Sequence, residues 1–235
     1  MVKAFGEIKV FPLSRRVNMH RIPEPPRLVD DKRRQYTIGS VAELRSWYAP
    51  AHAAAVRKER RYLDEHACRM IQLSSYLVIA SSHRVTGSHD CSPRGGAPGF
   101  IRISNESQPK TLMIPDMPGN NRLDSLENIA SYGGSHVEPE GAPVGLLVLV
   151  PGLNETLRIN GHAILSTDPL DLEACMPSTE PLPGGLPKLV IKVRVDSVYV
   201  HGGGSTQRAR LWDADAQQDP SLHPGMQEMI TPTSN

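Results

Sequence analysis

The sequence predicts a mainly β protein with flanking helices (α+β), in which six strands close into a small barrel behind N-terminal helices. Short apolar runs recur along the chain, and 21 prolines and 19 glycines cluster between them. After residue 75, a single helix-like segment interrupts these runs. Prolines and glycines between short runs indicate many turns, which favours a barrel over a helical bundle or a doubly wound sheet.

The N-terminal part is predicted to hold the helices. Residues 1–38 mix charges with prolines and are predicted as an extended arm, either disordered or laid over a partner subunit. Ser40 and Glu43 have capping-box spacing, which predicts a helix that continues to Tyr48. A longer helix is predicted for 51–73, where apolar residues recur at helical spacing among alanines and charged residues.

The predicted strands share short apolar or alternating patterns bounded by turn residues, and they are 76–80, 100–103, 111–114, 144–150, 155–164 and 189–200. The fourth and fifth form a hairpin across 151–154, and the sixth alternates apolar with charged residues, as a half-buried strand does. A short helix is predicted for 123–129, and exposed loops for 131–143 and 176–187. We therefore expect one domain over 39–215, followed by a flexible tail over 216–235.

Composition limits the partners. The 26 basic and 25 acidic residues nearly cancel, so we expect no binding to nucleic acid or to an anionic membrane through a global field. No apolar block suits a signal peptide or a membrane span. Three scattered cysteines favour a reducing compartment, and no histidine or cysteine spacing indicates a metal site. These features predict a cytoplasmic protein without a bound metal.

Three polar segments are candidates for a ligand site, and each has a plain structural alternative. Asn120, Asn121 and Arg122 precede the 123–129 helix, where free amides and an arginine suit a phosphate, although a helix cap with a solvated arginine explains them as well. Arg94 stands among small residues, either as a second phosphate ligand or in a glycine-rich bend. Thr156 and Arg158 share one face of a strand, which is either exposed or part of a pocket.

Together these segments match a known set of motifs, namely Ser92-Pro-Arg-Gly95, Pro98-Gly-Phe100, the 118–126 stretch, Glu155-Thr-Leu-Arg158, Asn160-Gly161 and Arg210-Leu-Trp-Asp213. In these motifs the chain resembles the pyridoxamine 5'-phosphate oxidase-like FMN-binding split β-barrel family. It is most similar to a bacterial subgroup of FMN-dependent enzymes with SPRG, PGNNRLDSL and ETLRxNG motifs. The resemblance covers about residues 40–215.

The resemblance implies a cytoplasmic homodimer with FMN at the subunit interface and eight cofactor-binding residues: Arg94, Asn120, Asn121, Arg122, Thr156, Arg158, Arg210 and Trp212. The first four would hold the phosphate, the next two would lie near the flavin, and the last two would approach the flavin of the other subunit. The implied activity is that of an oxidoreductase. It would transfer hydride or electrons between NAD(P)H or a small organic substrate and an acceptor, such as a nitro, quinone-like or unsaturated compound or O2.

The chain also departs from the subgroup's pattern, which leaves the substrate open. Gly96 replaces an acidic residue, and 201–207 replaces a His-Cys-x-Lys run. His201 is a candidate for substrate contact, and no other catalytic residue is evident. Two alternatives remain: a non-catalytic protein that binds FMN or haem, with His162 or His201 as the haem ligand, and a pyridoxamine-phosphate-type oxidase, whose C-terminal motif the chain matches poorly. Cys91 is predicted to be buried and inert.

Overall fold

The computed structural model describes residues 36–105, 107–133, 141–176, 185–223 and 225–230. Contacts divide the chain into two compact units, one that ends at Ala51 and one that begins at His52. In the first unit, helix α1 (Val41–Ser46) begins after Ser40, whose side chain accepts a hydrogen bond from the Glu43 amide at 3.1 Å. The predicted N-cap is therefore confirmed, whereas most of the predicted 1–38 arm lies outside the described residues.

The second unit is built on one antiparallel sheet of seven strands. The strands are β1 (Tyr76–Ser82), β2 (His89–Gly95), β3 (Arg102–Ile103), β4 (Thr111–Pro115), β5 (Ala142–Leu149), β6 (Thr156–Ser166) and β7 (Val190–His201). They lie in the order β2-β1-β5-β6-β7-β4-β3. The mainly β class with flanking helices and the predicted β5–β6 hairpin are confirmed.

The prediction of six strands closed into a barrel is wrong, because the described residues form seven strands in an open sheet. The additional strand is β2, which includes Arg94 and comes from a segment for which no strand was predicted. This strand pairs only with β1, so it is an edge strand. An edge strand tolerates Pro93, which has no N–H to donate, and does not need the apolar alternation by which strands are recognised.

Among the described residues of this unit, six α-helices accompany the sheet: α2 (Ala53–Arg57), α3 (Glu65–Leu73), α4 (Asp124–Ala130), α5 (Pro169–Ala174), α6 (Gly204–Ala209) and α7 (Met226–Ile230). The single helix predicted for 51–73 is wrong, because the chain leaves the helix between α2 and α3. Arg60 pairs there with Val198 of β7 through two backbone hydrogen bonds of 2.9 Å each. Asp64 then starts α3, since its carboxylate accepts from the Ala67 amide at 2.9 Å.

The core lies on one face of the sheet. Leu77 and Ile79 of β1 and Leu157 and Ile159 of β6 are fully buried, in alternation with more exposed residues. Burial of such side chains contributes about 1.5 to 3 kcal/mol each. Helix α4 packs against β1, β2, β5 and β6, and α3 contacts β7. The alternating residues of the central strands therefore point to the opposite face, which we call the outer face.

Candidate functional site

Strand register arranges the outer face into three rows of side chains. Each row takes one residue from β1, β5, β6 and β7 in turn: Tyr76, Leu149, Thr156 and His201; then Val78, Leu147, Arg158 and Tyr199; then Ala80, Gly145, Asn160 and Ser197. The β1 and β5 positions of all three rows are apolar, and the β6 and β7 positions are mostly polar. A flat ligand on this face therefore meets an apolar half and a hydrogen-bonding half.

Most residues of these rows, but not Tyr76, Tyr199 or Ser197, line a groove of about 640 Å³, a volume within the usual range for small-molecule sites. Gly145 has no side chain and so leaves space in the middle of the face. Helix α6 borders the groove with Ser205 and Thr206. The Thr206 hydroxyl donates to the Asn154 carbonyl at 2.5 Å and the Gly203 carbonyl at 2.7 Å. These contacts hold α6 against the β5–β6 turn.

Four polar side chains of the groove have no hydrogen-bond or ion-pair partner in the part of the chain that the structure describes: those of Thr156, Arg158, His201 and Ser205. The Arg158 guanidinium carbon lies 5.2 Å from the centroid of the Tyr199 ring, a cation–π distance. This contact satisfies none of the guanidinium N–H groups. The groove thus offers an oriented set of unused polar groups.

Cys91 contradicts its predicted burial. The residue is exposed, carries a free thiol and lines the groove. It lies opposite Ala80 in the register of β1 and β2. Because residues 89–95 form a strand and not a bend, alternation places Cys91 on the outer face and its neighbours Asp90 and Ser92 on the inner one. The sequence prediction failed here because β2 itself was missed.

Arg94, predicted as a phosphate ligand, lies on the inner face of β2 beside the core residue Leu77. Its terminal nitrogen is 3.8 Å from the carboxylate of Asp116, which follows β4. The Arg94 Nε atom is buried and has no hydrogen-bond partner. Burial raises the pKa of Asp116, although the charges of Arg94 and Lys188 oppose the shift. Arg94 is thus held by a long ion pair and by a hydrogen bond of 3.1 Å from Nη1 to the Pro93 carbonyl, while Nε has no acceptor.

Asp90 links Arg94 to the second predicted phosphate segment. Burial acts to raise the pKa of Asp90, but hydrogen bonds from Ser125 and Ser92 and the charge of Arg94 outweigh it and give a net lowering. The Ser92 hydroxyl donates at 2.5 Å. Asp90 in turn helps to raise the pKa of Arg122, after the larger effect of Asp124. Both predicted phosphate arginines therefore lie near one carboxylate.

The segment before α4 has the geometry of a tight turn. The Asn120 side-chain oxygen accepts from the Arg122 amide at 3.0 Å, and Asn121 has a φ of 59°. The exposed Arg122 side chain contacts Asp124 at 2.5 Å. The structure therefore places Arg94 and Arg122 within electrostatic reach of Asp90, on the other face of β2 from the groove, and Asn120 and Asn121 in the turn that precedes Arg122. We call Asp90, Arg94 and Arg122, with this turn, the Asp90 cluster.

Arg210 and Trp212 follow α6. Arg210 has a φ of 51° and bonds Asp213 at 2.8 Å and Asp215 at 2.6 Å, which raises its pKa. The Trp212 indole donates to the Leu153 carbonyl at 2.8 Å, and Leu211 between them lines the groove. Their predicted approach to the flavin of a second subunit stays a prediction.

Of the two histidines considered as haem ligands, only His201 lines the groove. His162 Nδ1 lies 2.7 Å from the Asp196 carboxylate, so it is already paired. The described residues hold no group of three or more His, Cys, Asp or Glu side chains that suits a metal ion. Among the same residues, no helix is long and apolar enough to cross a membrane.

Sequence reasoning missed three residues that shape the two sites. Tyr199 lies beneath Arg158, Ser205 belongs to α6, and Asp116 faces Arg94. A β6–β7 pairing drawn from the two predicted strands would have found Tyr199, given the correct register. No pattern in the sequence predicts α6, whose residues are GSTQRA.

No protein-family model matches the chain, and no curated protein matches it in sequence. Among solved structures, HupZ from Group A Streptococcus is 16% identical over 58% of this chain and 94% of its own, with a TM-score of 0.40. General Stress Protein 26 from Bacillus anthracis is 14% identical over 57% and 88%, with a TM-score of 0.35. A related protein of the pyridoxinephosphate oxidase family from Clostridium acetobutylicum is 9% identical over 58% and 86%, with a TM-score of 0.37. These values are too low to assign the chain to a family.

Proposed function

We propose that the chain is an FMN-dependent oxidoreductase of the split-barrel type and that its flavin ring lies in the outer-face groove. The observation that carries the proposal is the division of the groove into an apolar half and a half with unpaired polar groups. An isoalloxazine ring has an apolar edge that would pack on Val78 and Leu147, and a polar edge that would meet Thr156 and His201. The motif resemblance independently favours FMN.

The Asp90 cluster fits the phosphate of FMN. Arg94 has a buried Nε atom without a partner, and a phosphate oxygen is the acceptor that such a donor lacks. Arg122 is exposed beside the same carboxylate, so it can turn toward a ligand. The Asp90 cluster and the groove lie on opposite faces of β2, but β2 is the edge strand of the sheet. One FMN molecule that passes around this open edge would place its phosphate at the cluster and its ring in the groove.

When bound, FMN would supply transfer of hydride or electrons between a reduced nicotinamide or small organic donor and an acceptor. The chain's own residues would bind and orient it. The apolar half of the groove would exclude water from one side of the site, and Thr156 and His201 would hydrogen-bond the polar edge. Cys91 lies at the β2 end of the groove and lines its wall.

A homodimer is the second part of the proposal. Two large side chains of the outer face remain uncovered: Tyr76 is 42% exposed and Leu147 is 37% exposed. Leu211 at the groove is 48% exposed. A second copy over this face would bury these side chains and enclose the ligand. Analytical ultracentrifugation tests this: wild-type protein should sediment as a dimer and Leu147→Glu as a monomer, whereas a monomeric wild type would refute it.

The decisive experiment compares FMN with riboflavin, which lacks the phosphate. Wild-type protein should bind FMN more tightly than riboflavin, as measured by quenching of flavin fluorescence. Arg94→Gln should remove most of that preference, while Arg69→Gln, an equal charge loss at an exposed position of α3, should keep it. Failure of the wild type to bind either flavin would refute the proposal.

Absorbance spectra then separate an enzyme from a carrier. An FMN-loaded protein that bleaches on anaerobic addition of NADPH or NADH would act as a reductase, and one that bleaches only with an organic donor would act as an oxidase. A flavin spectrum that neither type of donor bleaches would favour a non-catalytic carrier. A Soret band with haem, abolished in His201→Ala, would assign the groove to haem instead, because His201 is the unpaired histidine there.

A further inference from the structure

We infer that the groove binds, beside the flavin, a small planar carboxylate, and that Arg158 is the residue that selects it. This inference rests on the proposed flavoenzyme function and names the substrate class of the same site. It begins from a difference between Arg158 and four other arginines near the two sites. An aspartate lies within 4.0 Å of each of these four: Arg94, Arg122, Arg194 and Arg210.

Arg158 has no carboxylate partner among the described residues. No aspartate or glutamate lines the groove either. The site therefore holds a positive charge without a counter-ion beside the apolar side chains of Leu147 and Val78. Arg158 is exposed, so an anionic ligand can reach its guanidinium, and a ligand with an apolar body gains both a charged hydrogen-bonded pair and contact with apolar side chains of the groove.

Tyr199 makes Arg158 suited to a carboxylate in particular. The guanidinium carbon lies over the ring, 5.2 Å from its centroid, and no N–H group of Arg158 has an acceptor among the described residues. A planar fork of two N–H groups matches the two oxygens of a carboxylate. The cation–π contact favours this position of the side chain, which lowers the entropy that binding costs. Arg158 can therefore make a bidentate contact with a carboxylate.

The neighbouring row supplies the remaining polar contacts. Asn160 lies two residues from Arg158 on the same face of β6, about 7 Å along the strand, and it also lines the groove. A ligand a few ångströms long that bonds Arg158 can therefore reach the Asn160 side chain with a second polar group, while Thr156 and His201 remain opposite the flavin. An aromatic or conjugated carboxylate meets all of these features, while a neutral or cationic molecule of the same shape leaves Arg158 unpaired.

Isothermal titration calorimetry of the full-length, FMN-loaded protein tests the inference with benzoate and its neutral isostere benzamide. Benzoate should bind at least tenfold more tightly than benzamide, and Arg158→Gln should weaken benzoate binding by about tenfold to a hundredfold, as expected for a charged hydrogen-bonded pair. Arg158→Lys should recover only part of the loss, because an ammonium group cannot make the bidentate contact. Arg69→Gln should bind benzoate as the wild type does.

Equal binding of benzoate and benzamide, or unchanged benzoate binding by Arg158→Gln, would overturn the inference. Displacement of benzoate by inorganic phosphate at similar concentrations would also overturn it, since the site would then favour phosphate over a carboxylate. The preference for FMN over riboflavin should persist in Arg158→Gln, and its loss would show that Arg158 holds the cofactor phosphate instead.

The two proposals can fail separately. If the protein binds FMN but not benzoate, the carboxylate inference fails while the proposed function stands. If the protein without flavin binds benzoate through Arg158 and never binds FMN, the proposed flavoenzyme fails and the anion site survives. Both titrations use the same preparations, with and without FMN, so neither result depends on enzymatic turnover.

Discussion

Asp116 competes with phosphate for Arg94 if the Asp90 cluster holds FMN, so Asp116→Asn should tighten FMN binding. The two side chains are 22% and 21% exposed, and the closest nitrogen–oxygen distance of 3.8 Å is too long for a hydrogen bond. Their attraction is therefore Coulombic, about 4 kcal/mol at an effective dielectric of 20 and nearer to 1 kcal/mol if solvent screens it as it does surface pairs. Asparagine keeps the size of the side chain and removes the charge.

Because solvent screens part of this attraction, we expect FMN binding to gain about 1 to 2 kcal/mol, which corresponds to a decrease in Kd of roughly fivefold to thirtyfold. Riboflavin serves as an internal control, because it has no phosphate and its affinity should not change. Fluorescence quenching measures both constants, and urea unfolding of the ligand-free variant checks that the fold persists. Unchanged or weaker FMN binding, or an equal gain for riboflavin, would refute the competition.

Three further predictions concern stability. Leu157→Ala, at a fully buried position, should lower the free energy of unfolding by about 2 to 5 kcal/mol in urea, and a loss below about 1 kcal/mol would contradict the assigned core. Gly161→Ala should lower the melting temperature, because the new Cβ would lie 2.0 Å from the Arg194 carbonyl oxygen; an unchanged temperature would exclude this close approach. The pKa of Asp90 is lowered in the folded state, so the ionised carboxylate stabilises the fold. This contribution to the free energy of unfolding is complete above the pKa of an unfolded aspartate, about 3.9, and is lost as the pH falls through the folded value. In Asp90→Asn the free energy of unfolding, measured from about pH 3 to pH 6, should therefore fall less steeply on the acid side, and an unchanged pH profile would contradict the assignment.

The central strands could be predicted because their apolar residues are needed for burial. Strands β1, β4, β5, β6 and β7 overlap the predicted segments closely, and each buries apolar side chains on the core face. Strand β2 could not be predicted in this way. Its inner face carries Asp90, Ser92 and Arg94, which are stabilised by hydrogen bonds and charges from distant residues. Such partners are not visible in a local pattern.

The sequence predicts several individual site residues, but it does not predict which of them lie together in the fold. Thr156 and Arg158 were correctly placed on one face of a strand, yet the presence of Tyr199 beneath Arg158 depends on the β6–β7 register. That register shifts at a bulge between Asn160 and Gly161, which sequence spacing does not reveal. The interruption of the predicted 51–73 helix likewise arises from a long-range pairing, that of Arg60 with Val198.

Helix α4 connects the fold to both candidate sites by fixing the register of β2. A slip of β2 by one residue would exchange its two faces, which would bring Arg94 toward the groove and Cys91 toward Asp116. Ser125 and Asn128 lie one turn apart on α4 and contact Asp90 and Ser81, which are paired with each other across β2 and β1. The Asn128–Ser81 contact is buried, with a length of 3.0 Å. A slipped strand would break the Ser125 contact and leave the Asp90 carboxylate without that donor, so the same hydrogen bonds that complete the Asp90 cluster also keep the groove on the opposite face.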